Sequence, residues 1–252
     1  MRMAPDKSLE RSALFVATLT SFMGPFTVSS VNVALPAIQA DFAADAVLLS
    51  WVATSYLLAI AVFLVPFGKV ADIYGRKKVF TWGLVLYTVS SFLAVFSFSM
   101  KMLITLRIFQ GFGSAMFVTT GMAILTSVFA PAKRGRAIGI YVSAVYIGLS
   151  VGPFAGGFLV RYLGWQSIFA VVVPIGALSI FSTLRYLKGE WADARGEKLD
   201  IPGSVLYGFS ILALVYGASL LPRSVAVYLI IVGLAGLAIF IRLEMSVRYP
   251  VF

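Results

Sequence analysis

Charged positions fall in short groups along the chain, and eight stretches between those groups carry no charge at all. They run between Arg11 and Asp41, Asp45 and Lys69, Lys78 and Lys101, Arg107 and Lys133, Arg136 and Arg161, Arg161 and Arg185, Asp200 and Arg223, and Arg223 and Arg242. A helix of about 20 apolar residues crosses the hydrocarbon core of a bilayer, and each stretch is of that order. Backbone polar groups in lipid must be satisfied within the structure. Stretches this long therefore predict helices rather than the short alternating strands of a barrel. The first stretch follows Arg2, Lys7 and Arg11, as a secretory leader would. It is longer than a leader's apolar segment of about 7–15 residues, and seven more follow, so it reads as a retained span. The pattern predicts an all-α membrane protein with eight transmembrane helices.

Composition agrees. Of 252 residues, 60% are hydrophobic and 12% charged, with mean hydropathy +0.97. Soluble domains carry about 25% charged residues. Lipid is thus the expected partner, and a soluble enzyme, a disordered chain and a nucleic-acid module are excluded despite the net charge of +10. Cysteine and histidine are absent, which removes disulfides, thiolate or imidazole metal sites and histidine proton relays. No cofactor, metal or enzymatic activity is expected.

Charge placement sets an expected orientation. With the N-terminus in the cytoplasm, sixteen of the twenty basic residues lie on that side. They are Arg2, Lys7, Arg11, Lys69, Arg76, Lys77, Lys78, Lys133, Arg134, Arg136, Arg185, Lys188, Arg195, Lys198, Arg242 and Arg248. Lys101, Arg161 and Arg223 fall outside, and Arg107 lies within a span. This asymmetry predicts cytoplasmic termini in a multi-pass protein of the plasma membrane, the inner membrane if bacterial. Residues 188–200 hold seven charges in thirteen positions and read as a solvated cytoplasmic linker. The expected division is a six-helix bundle at 1–187, the linker at 188–200, and two extra helices with a short tail at 201–252. Asp200 and Pro202 read as cap and first turn of the seventh helix. Val65-Pro66-Phe67-Gly68 in span two is echoed by Gly152-Pro153-Phe154 in span five, the offset of two three-helix repeats.

Four motifs carry the chemistry. After span two comes Gly68-Lys69-Val70-Ala71-Asp72-Ile73-Tyr74-Gly75-Arg76-Lys77-Lys78. Its glycines permit a sharp reversal, and its carboxylate can accept from the loop or a helix N-terminus. In span four, Arg107, Gln110, Gly111 and Ser114 fall on one helical face. A charge at that depth is costly, about 2.5–3.5 kcal/mol on insertion scales. It either snorkels outward or faces a wetted cavity, which the polar stripe beneath it favours. In span five, Gly148, Gly152 and Gly156 form a flat strip beside Pro153 and Gly157, suited to close helix packing. The fourth group comprises Val31-Asn32-Val33-Ala34-Leu35-Pro36 ending span one, Trp51 to Tyr56 opening span two, and Trp165 to Phe169 leading into span six.

The first motif resembles the signature loop of the major facilitator superfamily, and the second its R-x-x-Q-G motif. The third is similar to the superfamily's antiporter motif. The fourth group resembles the fourteen-span drug:proton antiporter branch, in which two extra helices separate two six-helix bundles. The resemblance implies export of a small amphipathic or drug-like solute by alternating access. It implies a gate at Gly68, Asp72, Gly75, Arg76 and Lys77, and a sliding interface at Gly148, Gly152, Pro153, Gly156 and Gly157. Thr27, Asn32, Tyr56, Arg107, Gln110 and Ser114 are the candidate cavity residues. A complete member is roughly twice this length, so a second bundle is expected from a homodimer, a separate chain or missing sequence. The signature loop and the glycine strip are expected to pack against it. Thr27 stands where the branch usually has an acid, and no carboxylate is expected at the membrane midplane, which puts proton coupling by this bundle in doubt. The alternative reading is a non-transporting scaffold or regulatory subunit that keeps the bundle fold.

Overall fold

The computed structural model describes residues 7–245; Arg2 and Arg248 lie outside them. The described residues form eight α-helices and no strand. They are α1 (Lys7–Phe42), α2 (Ala46–Tyr74), α3 (Arg76–Val95), α4 (Met100–Val128), α5 (Pro131–Leu163), α6 (Gln166–Tyr186), α7 (Ile201–Ser219) and α8 (Ser224–Glu244). All eight are long and apolar enough to cross a membrane.

Helix starts follow the local sequence. Asp45 caps α2 by accepting from the Leu48 N–H at 2.7 Å, and Ser99 caps α4 through Met102 at 3.2 Å. Asp200 caps α7 through Gly203 at 3.0 Å, with Pro202 in the first turn as expected. α1 differs from the sequence reading. It runs on past the Asn32–Pro36 segment to Phe42. A proline removes one backbone donor without ending a helix that packing holds on both sides, and Ala34 and Ile38 are fully buried. α5 likewise runs unbroken through Pro153.

In the bundle α1–α6, α1 packs against α5 and α6, α4 packs against α2 and α3, and α3 meets α6. Among the described helices, α8 packs on α7, and α7 packs on the bundle through α2. There the Tyr207 hydroxyl donates to the Ala61 carbonyl at 3.1 Å. Two apolar cores fill the bundle. One includes Met23, Phe80, Leu84, Tyr87 and Phe117 and extends to Leu187, where the chain leaves α6. The other includes Val31, Val52, Leu103, Trp165 and Phe169 and lies toward the α1–α2 and α5–α6 turns. Large side chains such as Trp82, Phe154 and Tyr228 point outward and are exposed, as a surface solvated by lipid requires.

Candidate functional site

Where the two apolar cores meet lies a polar cluster. Arg107 of α4 donates from Nε to the Val52 carbonyl of α2 at 3.0 Å and from Nη1 to Gln110 Oε1 at 2.9 Å. Its guanidinium lies 4.1 Å from the centroid of the Tyr56 ring. Gln110 Nε2 donates to Ser91 Oγ at 2.7 Å, and Ser91 donates to the Tyr87 carbonyl at 2.7 Å. Two hydroxyl pairs complete the cluster, Tyr56 with Ser114 at 2.7 Å and Tyr87 with Thr27 at 2.8 Å. Four helices thus meet through side chains that are at most 1% exposed.

Small residues make this convergence possible. A Cβ on Gly111 would strike the Tyr56 carbonyl, so only glycine there lets α4 close on α2. On α1, a Cβ at Gly24 would lie 3.1 Å from the Tyr56 hydroxyl.

The guanidinium charge is met by a carbonyl, an amide oxygen and a π face, which are charge-assisted and cation–π contacts. No described carboxylate pairs with it. Arg107 Nη2 is buried without a hydrogen bond among the described residues. Arg107 therefore does not snorkel. The other polar groups of the cluster are buried as well, and each hydroxyl and amide finds a protein partner. Of the six candidate cavity residues, Thr27, Tyr56, Arg107, Gln110 and Ser114 come together. Asn32 does not; it is exposed on α1. Sequence reasoning missed Tyr87 and Ser91, whose i, i+4 spacing in an apolar span was the available signal.

A second polar cluster sits at the α2–α3 turn. Gly75 makes the turn at φ 117°, a conformation that favours glycine. Arg76 donates from Nε to Asp72 at 2.8 Å, and its Nη2 lies 2.7 Å from both Asp72 and Asp193 carboxylates. Its Nη1 donates to Ser127 Oγ at 2.7 Å. Glu190 accepts from the Lys77 backbone N–H at 2.8 Å, and Lys69 reaches Glu197 at 2.6 Å. Two backbone bonds add to these, from Arg76 N–H to the Trp191 carbonyl at 2.7 Å and from Ala194 N–H to the Asp72 carbonyl at 3.0 Å. Gly68 packs one turn earlier, where a Cβ would lie 3.3 Å from Thr119 of α4. The linker read as solvated is instead docked on the signature loop.

The glycine strip is corrected too. It faces α1 of the same bundle, not a separate one. A Cβ at Gly148 would lie 2.7 Å from the Phe22 carbonyl, one at Gly156 2.8 Å from Ser30 Cα, and one at Gly152 would overlap Ser29. Ser29 Oγ donates to the Gly148 carbonyl at 3.3 Å and Ser30 Oγ to the Gly152 carbonyl at 3.0 Å. Serine on α1 against glycine on α5 makes a small-residue interface with interhelical hydrogen bonds. Gly157 stands in ordinary contact, 3.8 Å from Val33, and Pro153 is exposed on the outer side.

Eight membrane-length helices with a buried arginine cluster and an ion-paired turn define a multi-pass membrane protein. A profile of the Major Facilitator Superfamily matches residues 15–252, and the chain belongs to that family. It is similar to the riboflavin transporter RibZ of Clostridioides difficile, 34% identical over 194 residues, covering 77% of this chain and 42% of the relative. It is similar to the multidrug resistance protein Stp of Mycobacterium tuberculosis, 41% identical over 187 residues (74% and 35%). The methylenomycin A resistance protein of Bacillus subtilis is 33% identical over 247 residues (95% and 52%). The chain thus spans between about a third and a half of these relatives' length.

Proposed function

We propose that residues 1–187 form one transport bundle of an exporter for small amphipathic solutes, working by alternating access against a second bundle. That bundle comes from further sequence, a second copy or another chain. Residues 188–200 link it to the two helices of 201–252, and both termini lie in the cytoplasm. Helix pairing supports two three-helix repeats: exchanging α1, α2, α3 for α4, α5, α6 maps the set of packed pairs within the bundle onto itself. Arg107 is the solute-orienting residue, with Thr27, Tyr56, Gln110 and Ser114 around it and Asn32 on the open face of α1. Asp72 and Arg76, with Gly68, Gly75 and Lys77 shaping their loop, latch the cytoplasmic end. The seam of Gly148, Gly152 and Gly156 holds α5 to α1 as the bundle rocks.

The observation that carries this reading is Arg107, a buried charge without an acidic partner among the described residues and with one donor unused. A charge at membrane depth is expensive and marks a solute or ion path. A scaffold gains nothing from it. Flux in proteoliposomes holding the chain with its second bundle tests the proposal. Riboflavin and methylenomycin A are the first solutes, taken from the relatives' names. Net flux that Arg107→Met abolishes is expected; absence of flux for every amphipathic solute tried favours the scaffold. Orientation is tested separately: with no native cysteine, Ala44→Cys should react with an impermeant reagent from outside and Ala194→Cys should not.

A further inference from the structure

A furrow runs along the paired helices α1 and α5 toward the end that carries Lys7 and Pro131. Its deeper part, about 430 Å³, is walled by Thr18 and Phe22 of α1 and by Ala144 and Ile147 of α5. Its mouth, about 450 Å³, is lined by Arg11, Lys133 and Arg136 with Leu14 and Ile140. Arg11 and Leu14 line both parts, so the two are continuous. Glu10 and Lys133 pair at 3.0 Å and cancel within the mouth. Arg11 and Arg136 are exposed and pair with no described residue. A net charge of two thus stands over an apolar trough.

The length of the trough indicates its occupant. Arg11 to Phe22 is eleven residues, about 16 Å at 1.5 Å per residue. Half of a hydrocarbon core of about 30 Å is about 15 Å. A cationic mouth followed by an apolar furrow one leaflet deep matches a phospholipid with an anionic headgroup. Arginine suits the phosphate through its planar fork of donors. Thr18 Oγ1, buried without a partner among the described residues, adds one polar group within the trough. We propose that this furrow is a binding site for one anionic phospholipid, with its phosphate between Arg11 and Arg136 and an acyl chain along Thr18, Phe22, Ala144 and Ile147. Placing that lipid in the cytoplasmic leaflet rests on the orientation proposed above. Binding itself does not, so cysteine labelling and lipid retention fail independently.

The test is retention by the purified chain in detergent, read by native mass spectrometry. Phosphatidylglycerol and phosphatidylcholine with identical acyl chains are supplied in equal amounts. Preference for phosphatidylglycerol should be about twenty-fivefold, at about fivefold per arginine. It should fall to near parity in Arg11→Gln/Arg136→Gln, a pair of exposed positions that leave the core untouched. Ile147→Trp, which fills the furrow from a half-exposed position (54%), should lower retention of both lipids. Equal retention of the two lipids by the unaltered chain, or a preference unchanged in the double arginine variant, overturns the proposal. Displacement by glycerol phosphate would assign a free phosphate ester and overturn the lipid. A lipid-free dimer that Ile147→Trp dissociates would assign a second copy and overturn it equally.

Discussion

Arg107 and Arg76 are both largely buried and multiply hydrogen-bonded, yet their charges are balanced in opposite ways. Arg76 has two carboxylates at 2.7 Å, and both acids are partly exposed. Arg107 has none among the described residues and rests on a carbonyl, an amide and a tyrosine ring. The first arrangement is closed, since every charge meets its opposite. The second leaves a positive charge in the core with no described carboxylate beside it, the charge that the proposed function assigns to a solute. Ion pairs near water also weaken with salt, whereas contacts sealed from water do not. Under the proposed function, one arginine serves as a releasable latch and the other as a receptor.

Shortening Arg107 should cost most. Arg107→Ala opens a cavity beneath Tyr56 and orphans the Val52 carbonyl and Gln110, a loss of about 2–4 kcal/mol from the cavity and unmet acceptors together. Arg107→Met refills the space but, like Ala, leaves the Gln110 acceptor without its donor, so it recovers only the cavity part of the loss. Thermal unfolding in detergent should rank Ala well below Met, and Met no higher than the native chain. Equal losses for Ala and Met would mean the charge itself holds the bundle together.

Gly152→Leu comes next. It drives a branched side chain into Ser29 at the seam between α1 and α5, and overpacking of this kind costs about 1–3 kcal/mol. A lower unfolding temperature and reduced yield of folded protein are expected, because the strip mates inside the bundle. Undisturbed stability with lost flux would return the strip to an interface between bundles.

Arg76→Gln should cost much less, about 1 kcal/mol or below, since both acids are then freed toward water. Its readout is the linker: cleavage by a protease between residues 188 and 200 should accelerate severalfold. Glu190→Gln should give a smaller change of the same sign. The smallest effect is that of salt. Raising ionic strength from 0.05 to 0.5 M shortens the Debye length several-fold, so linker cleavage should rise in the native chain while its response to Arg107→Met stays constant.

Much of the fold was legible because lipid tolerates few charges. The runs bounded by Asp45 and Lys69, or by Asp200 and Arg223, could only be spans, and Asp200 marked a helix start. Pairing was less legible. The spacing of Gly148, Gly152 and Gly156 announces a close contact without naming the mate, and Ser29 and Ser30 are ordinary small residues until α1 lies alongside. The site divided in the same way. Gln110 was found because it shares a helix face with Arg107. The Val52 carbonyl is invisible in sequence because every residue carries one, and Ser91 belongs to another helix. Linker acids Glu190, Asp193 and Glu197 read as solvated charge because their partners, Lys77, Arg76 and Lys69, lie more than a hundred residues earlier.

The contrast between the two arginines is tested most directly by measuring solute flux and unfolding temperature together for Arg107→Met, reconstituted with the second bundle. A receptor arginine predicts flux reduced at least about a hundredfold, the loss expected when a buried charged partner worth about 3 kcal/mol is removed, with an unfolding temperature well above that of Arg107→Ala. Undiminished flux at unchanged stability would contradict it.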